Sequence, residues 1–173
     1  MPEPLAYFIT FTCYGCRLHG DDPYTVDRRH RTIDGPHLGP SERFRQASVD
    51  SMKQEVYTLD EVRRRVVLES IREVCRYKGW LLLAVHVRST HVHLVVQASG
   101  LSPEQVMTTF KAYASRALNH AGVDPEGRKR WTRHGSTRYI NTHQGLLDSM
   151  RYVKEEQGEP MELWVCEDVT LIP

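Results

Sequence analysis

The chain has 173 residues, 40% of them hydrophobic and 26% charged, with a formal net charge of +1. That length suits one domain with a sizeable core, and the composition excludes disordered, collagen-like and membrane-spanning classes. No apolar run approaches the roughly 20 residues needed to cross a bilayer, and MPEPLAYFIT lacks the basic start and apolar middle of a signal peptide. The expectation is one cytoplasmic domain over residues 1–173 with no membrane partner.

Residues 5–15, LAYFITFTCYG, are aromatic and β-branched and end on a glycine, which reads as a first strand. From Arg17 to Tyr57 no period of 2 or 3.6 is sustained, so a long loop excursion is expected over about 17–57. Its DRRHR tract is offset by Asp21, Asp22, Asp27 and Asp34, which leaves hairpin recognition and partner docking both open. Cys13 and Cys16 make one CxxC with no second pair to complete a four-thiolate zinc site.

Thr58 and Glu61 have capping-box spacing, and Leu59, Val62, Val66, Ile71 and Val74 form a helical stripe that stops near Lys78-Gly79. WLLLAVHV (80–87) and HVHLVVQ (91–97) read as two strands around a short link. Ser102 and Gln105 cap a second helix, with Pro103 at its first position and Gly122 at its end. A strand over 131–140 and a last helix within GLLDSMRYVKEEQG follow, the latter stopped by Gly158 and Pro160. This order predicts an α+β fold: a ferredoxin-like (split βαβ) antiparallel sheet with helices on one face and an added C-terminal helix.

Alternation puts His91, His93, Val95 and Gln97 on one strand face and Val92, Leu94 and Val96 on the other, which is the core face. Pairing that sets Leu81, Leu83 and Val85 on that core face brings His86 to the histidine side. Two imidazoles at i and i+2 can hold one divalent cation if another element supplies a third ligand, and they can equally be polar surface. At ~100° per residue, Leu146, Leu147, Met150 and Val153 cluster on one side of the last helix, while Asp148, Tyr152 and Glu156 fall opposite. A phenol there, aligned with a carboxylate one turn later, fits a nucleophile and a metal ligand for attack on a phosphodiester.

These residues resemble the single-strand DNA tyrosine transposases of the His-hydrophobic-His class, the REP-associated and insertion-sequence enzymes. The resemblance runs through YFITFTCYG, THVHLVV, FKAYASRALN, W…HGSTRYI and MRYVKEEQG. It implies a metal-dependent transesterase that cuts single-stranded or hairpin DNA and keeps a 5′-phosphotyrosine link while a 3′-hydroxyl departs. It further implies Tyr152 as nucleophile, carried on the last helix, and His91 and His93 as metal ligands. The family's third ligand is usually an amide four residues after the tyrosine, where this chain has Glu156, with Gln157 next. Helix periodicity favours Glu156, with Gln157 the second choice. Mg²⁺ or Mn²⁺ is the expected cofactor, and imidazole ligands tilt the choice toward Mn²⁺ in vitro. Both a monomer and a tyrosine-swapped homodimer are compatible with the linker at 141–145.

DNA contacts are expected from Arg128, Lys129, Arg130, Arg133 and Arg138, with Lys111 and Arg116 on the second helix and Trp131 stacking on an unpaired base. Two rivals remain. One is a domesticated, non-catalytic nucleic-acid binder. The other is a small metal-dependent phosphoesterase, although the third histidine of a histidine-triad hydrolase is replaced by Val95.

Overall fold

A computed structural model describes residues 3–16 and 42–168. The elements are β1 (Ala6–Cys13), α1 (Glu42–Asp50), α2 (Glu61–Lys78), β2 (Leu81–Val87), β3 (His91–Gln97), α3 (Pro103–Ala121), β4 (Trp131–Ile140), α4 (His143–Glu155) and β5 (Glu162–Val165). The sheet order is β4-β1-β3-β2-β5 with every neighbouring pair antiparallel. Its first four strands have the predicted split βαβ arrangement, and the fold class is α+β as expected.

The period-2 pattern of AYFITFTC divides the sheet into two faces. Tyr7, Ile9, Phe11 and Cys13 join Val92, Leu94 and Val96 against α2 and α3, where Val67, Ile71, Val74, Phe110 and Leu118 complete the main core. On the other face a smaller apolar cluster, including Ala84, Val95, Leu146 and Val153, seats α4. The tyrosine helix thus lies on the sheet face opposite the other two core helices.

Local chemistry explains where the helices begin and end. The Ser102 and Gln105 capping box forms in both directions at the start of α3, and Gly122 closes it in the left-handed region at φ 65°. The cap of α2 is Asp60 rather than Thr58, because the Asp60 carboxylate accepts from the Arg63 N–H at 2.8 Å. The buried stripe of α2 runs through Val67, Leu68, Ile71, Val74 and Cys75, leaving Val62 exposed.

Four further differences from the sequence reading have physical causes. The span expected as a loop over 17–57 contains α1, a nine-residue helix too short to show a sustained period, while residues 17–41, with the DRRHR tract, lie outside the described residues. A fifth strand, β5, pairs with β2. A bulge at Leu83 shifts the β2–β3 register, so Leu82 faces the main core and Leu81 and Leu83 turn to the α4 side; only Val85 of the predicted trio stays. In α4 the buried positions are Leu146, Ser149 and Val153, and Leu147 is 52% exposed. Ser149 can be buried because its hydroxyl donates to the Gly145 carbonyl at 2.7 Å. No helix among the described residues is long and apolar enough to cross a membrane.

Candidate active site

Register alone builds the centre of the site. Ser136, Thr10, His93, His86 and Leu163 form one cross-strand row through β4, β1, β3, β2 and β5. Arg138, Phe8, Val95 and Ala84 form the next row, and Thr12 stands opposite His91. Successive rows two residues apart share a face, so Arg138, Phe8, Thr10 and both histidines all point to the α4 side. Close approach of β4 requires Gly135, where an added Cβ would come within 2.4 Å of the Thr10 carbonyl and 2.5 Å of Met107 Sδ.

The ring centroids of His91 and His93 are 4.5 Å apart. Each Nδ1 has a threonine hydroxyl beside it, Thr90 Oγ1 at 2.9 Å for His91 and Thr10 Oγ1 at 2.7 Å for His93. When those hydroxyls accept the Nδ1 hydrogens, Nε2 of each ring is the lone-pair nitrogen, the tautomer a metal-ligating histidine needs. His93 is 9% exposed. Burial, reinforced by the nearby His91, His86 and Arg88, lowers its pKa to about 3, so it is neutral at pH 7.

His86 is fully buried with both ring nitrogens engaged. The Met161 N–H donates to Nε2 at 3.0 Å, so the ring hydrogen sits on Nδ1 and is donated to the Val153 carbonyl at 3.2 Å. That carbonyl belongs to the last turn of α4, where helix carbonyls lack intrahelical partners. His86 therefore ties the end of α4 and the start of the following segment to the strand beside His93. Arg88 adds a second tie, donating to the Glu159 carbonyl at 3.0 Å.

Tyr152 comes one residue before this anchor. It is 39% exposed and borders the buried stripe of α4 rather than opposing it. Its ring meets Phe8 at 5.8 Å and His93 at 5.7 Å, both edge-on. Helix α4 ends at Glu155, and Glu156 is its exposed C-cap, within 3.8 Å of Arg151. Beyond the helix the periodicity that favoured Glu156 no longer applies. The Gln157 side chain lies near His93, where it opposes the fall in the His93 pKa, and its Nε2 approaches the Tyr152 carbonyl at 3.5 Å. Among the described residues no three His, Cys, Asp or Glu side chains gather as a metal site, so the expected set of His91, His93 and Glu156 is not assembled. Two imidazoles with an adjacent amide oxygen are a donor set that suits a divalent cation.

The basic residues divide sharply. Arg130 is buried, donating to Asp124 Oδ2 and Asn119 Oδ1 at 2.8 Å each, which corrects its expected role at the DNA surface. Asp124 also accepts from Tyr57 Oη at 2.8 Å and Arg63 Nε at 3.0 Å. Burial alone would raise the Asp124 pKa, but these hydrogen bonds outweigh it and hold the carboxyl below its usual range. Lys111 Nζ donates to the Thr132 and His134 carbonyls at 2.8 and 3.1 Å, and burial lowers its pKa to about 8. Trp131 packs edge-on against Phe11 and donates to Ser115 Oγ at 3.0 Å, so its indole is part of the fold. Arg128 is held by the Glu55 and Val56 carbonyls. Lys129 lies over Tyr14 and Arg116 over Tyr113, and Arg133 is exposed. Arg138 alone of the eight joins the Tyr152 cluster, its guanidinium 5.1 Å from the Phe8 ring.

The sequence reading passed over Thr10, Thr90, Phe8 and Arg88. The first and third carried a signal, since alternation in AYFITFTC puts Phe8, Thr10 and Thr12 on the face opposite the core. Residues 48–155 match a family model described as IS200-like transposase. The chain belongs to that family. The matched span of this transposase includes His91, His93 and Tyr152 and stops short of Glu156 and Gln157. Among solved structures it is similar to a REP-associated tyrosine transposase bound to a REP hairpin, with a TM-score of 0.47 and 10% identity, over 88% of this chain and 66% of that one. No curated protein sequence matches.

Proposed function

We propose that this IS200-like transposase is a metal-dependent transesterase of single-stranded or hairpin DNA, with Tyr152 as its nucleophile. The observation that carries the reading is the contact of Tyr152 with His93, beside His91 and Gln157. A divalent cation held by His91, His93 and Gln157 would supply Lewis acidity, drawing charge from the phosphate oxygens. Gln157 is preferred to Glu156 because its side chain lies near enough to His93 to act on its pKa, whereas Glu156 turns to Arg151. Imidazole ligands favour Mn²⁺ over Mg²⁺ in vitro.

In the reaction the Tyr152 oxygen attacks phosphorus, a Tyr–O–P bond forms and the P–O3′ bond breaks. The phenol hydrogen ends on the departing 3′-oxygen, so the step is balanced without a further reactant. The products are a 5′-phosphotyrosine and a free 3′-hydroxyl, and reversal with a different 3′-hydroxyl joins strands. Thr10 and Thr90 fix the histidine rings, and His86 fixes the helix end next to the nucleophile.

Incubating the protein with a labelled hairpin oligonucleotide and Mn²⁺ tests this reading. A covalent adduct that survives denaturing electrophoresis and disappears in Tyr152→Phe is expected. Cleavage that persists in Tyr152→Phe supports a phosphoesterase instead, and binding without cleavage supports a non-catalytic binder.

A further inference from the structure

We infer that Arg138 is the residue that receives the scissile phosphate, holding its non-bridging oxygens over the Phe8 ring in reach of Tyr152. The inference rests on the transesterase reading and adds to it a cation from the edge strand, on the side of Tyr152 away from the histidine-bearing strand.

Three observations converge on Arg138. The first is position: Phe8 and Arg138 are cross-strand partners, and the guanidinium lies 5.1 Å from the Phe8 centroid. The same ring meets Tyr152 at 5.8 Å and stacks near His93 at 5.9 Å. A phosphodiester seated over Phe8 is therefore within reach of the guanidinium, the phenol and the histidines together.

The second is charge. No carboxylate among the described residues pairs with Arg138, whose guanidinium makes a long 3.4 Å approach to Ser149 Oγ. That hydroxyl already donates to Gly145, so it serves Arg138 as a neutral acceptor and leaves the positive charge uncompensated. Of the nearby cations, Arg151 is paired with Asp148 at 3.1 Å and approaches Glu156, while Arg88 is engaged in tying the Glu159 carbonyl to the end of β2 at 3.0 Å.

The third is access and order. Arg138 is exposed on an edge strand, so a nucleic-acid strand can reach it, and its guanidinium lies over the Phe8 ring. A planar guanidinium fork is pre-organised to grip two phosphate oxygens and loses less freedom per hydrogen bond than a lysine would.

The test is single-turnover adduct formation by the full chain on a hairpin oligonucleotide, using wild type, Arg138→Ala, Arg138→Gln and Arg138→Lys, with hairpin affinity measured in parallel. A second substrate series carries a single phosphorothioate of defined stereochemistry at the cleaved position. Arg138→Ala and Arg138→Gln are expected to slow adduct formation by about 100-fold or more while weakening hairpin affinity only several-fold, as loss of one phosphate contact should. Arg138→Lys is expected to recover part of the rate. The wild type is expected to discriminate between the two phosphorothioate isomers, and Arg138→Ala to lose that discrimination, which a purely structural role would leave intact. Wild-type adduct rates in Arg138→Ala, or unchanged isomer discrimination, overturn the inference alone. Failure of the wild type to form any adduct overturns the transesterase reading and this inference with it.

Discussion

The ring of Tyr152 meets the ring of His93 edge-on, with centroids 5.7 Å apart and planes at 82°. The two residues come from different elements, and a third residue holds them in place. His86 is the cross-strand partner of His93, and its Nδ1–H is donated to the carbonyl of Val153, the residue next to the tyrosine. Strand register thus reaches the helix end through one buried imidazole, which ties the residue next to Tyr152 to the strand beside the histidine pair.

The segment after α4 separates the two candidate third ligands. Gln157→Ala is expected to weaken Mn²⁺ binding by about 10-fold to 100-fold, whereas Glu156→Ala is expected to stay close to wild type. Titration of the DNA-free protein with Mn²⁺, followed by electron paramagnetic resonance, checks this. Equal losses in both variants, or a larger loss in Glu156→Ala, would return the role to the carboxylate.

Asp124 is the acceptor shared by Arg130, Arg63 and Tyr57, and its side chain is only 3% exposed. Asp124→Asn leaves the buried Arg130 without its counter-charge and removes one of the two carboxylates paired with Arg63, the other being Asp60. The expected loss is about 3–5 kcal/mol of stability, by analogy with breaking other buried pairs, and urea denaturation measures it. Arg130→Ala should likewise be detected first as lost stability rather than as a selective loss of DNA affinity.

Lys111 gives a pH signature. Burial lowers its folded pKa to about 8, while an unfolded lysine titrates near ~10.4. Between those values the unfolded chain binds more protons, so the contribution of this group makes stability rise with pH across that window. Buried Tyr57 and Cys75, whose pKa values are raised to about 12, act in the opposite direction there. The difference between wild type and Lys111→Met isolates the lysine: its stability gap is expected to change in favour of wild type from pH 8 to 10. A gap that does not vary with pH would show that the ammonium is not penalised by burial.

The sheet and its two faces were legible because alternation is a strong signal wherever both faces are distinct, as in AYFITFTC and HVHLVVQ. The strand expected around 131–140 is β4. Shorter features were not readable in the same way. The four residues of β5 are too few to establish a period, and the Leu83 bulge falls within an unbroken apolar run from Leu81 to Val85, so nothing in the letters marks the shift. At the site, pattern and resemblance together singled out His91, His93 and Tyr152, whose rings the fold brings into contact. Glu156 was favoured by extending a helix that in fact ends one residue earlier. The basic cluster misled for a different reason. Whether an arginine meets DNA or a buried aspartate depends on tertiary partners, and Asp124, six residues before Arg130, stands outside the basic run.

The most direct measurement of the central claim is mass spectrometry of the protein after reaction with a short hairpin oligonucleotide and Mn²⁺, followed by nuclease trimming and proteolysis. Attack by Tyr152 is expected to leave a nucleotide joined through its 5′-phosphate to the peptide that contains Tyr152, together with a released strand ending in a 3′-hydroxyl. A nucleotide attached to any other residue, or a cleaved strand bearing a free 5′-phosphate with no attached peptide, would contradict it.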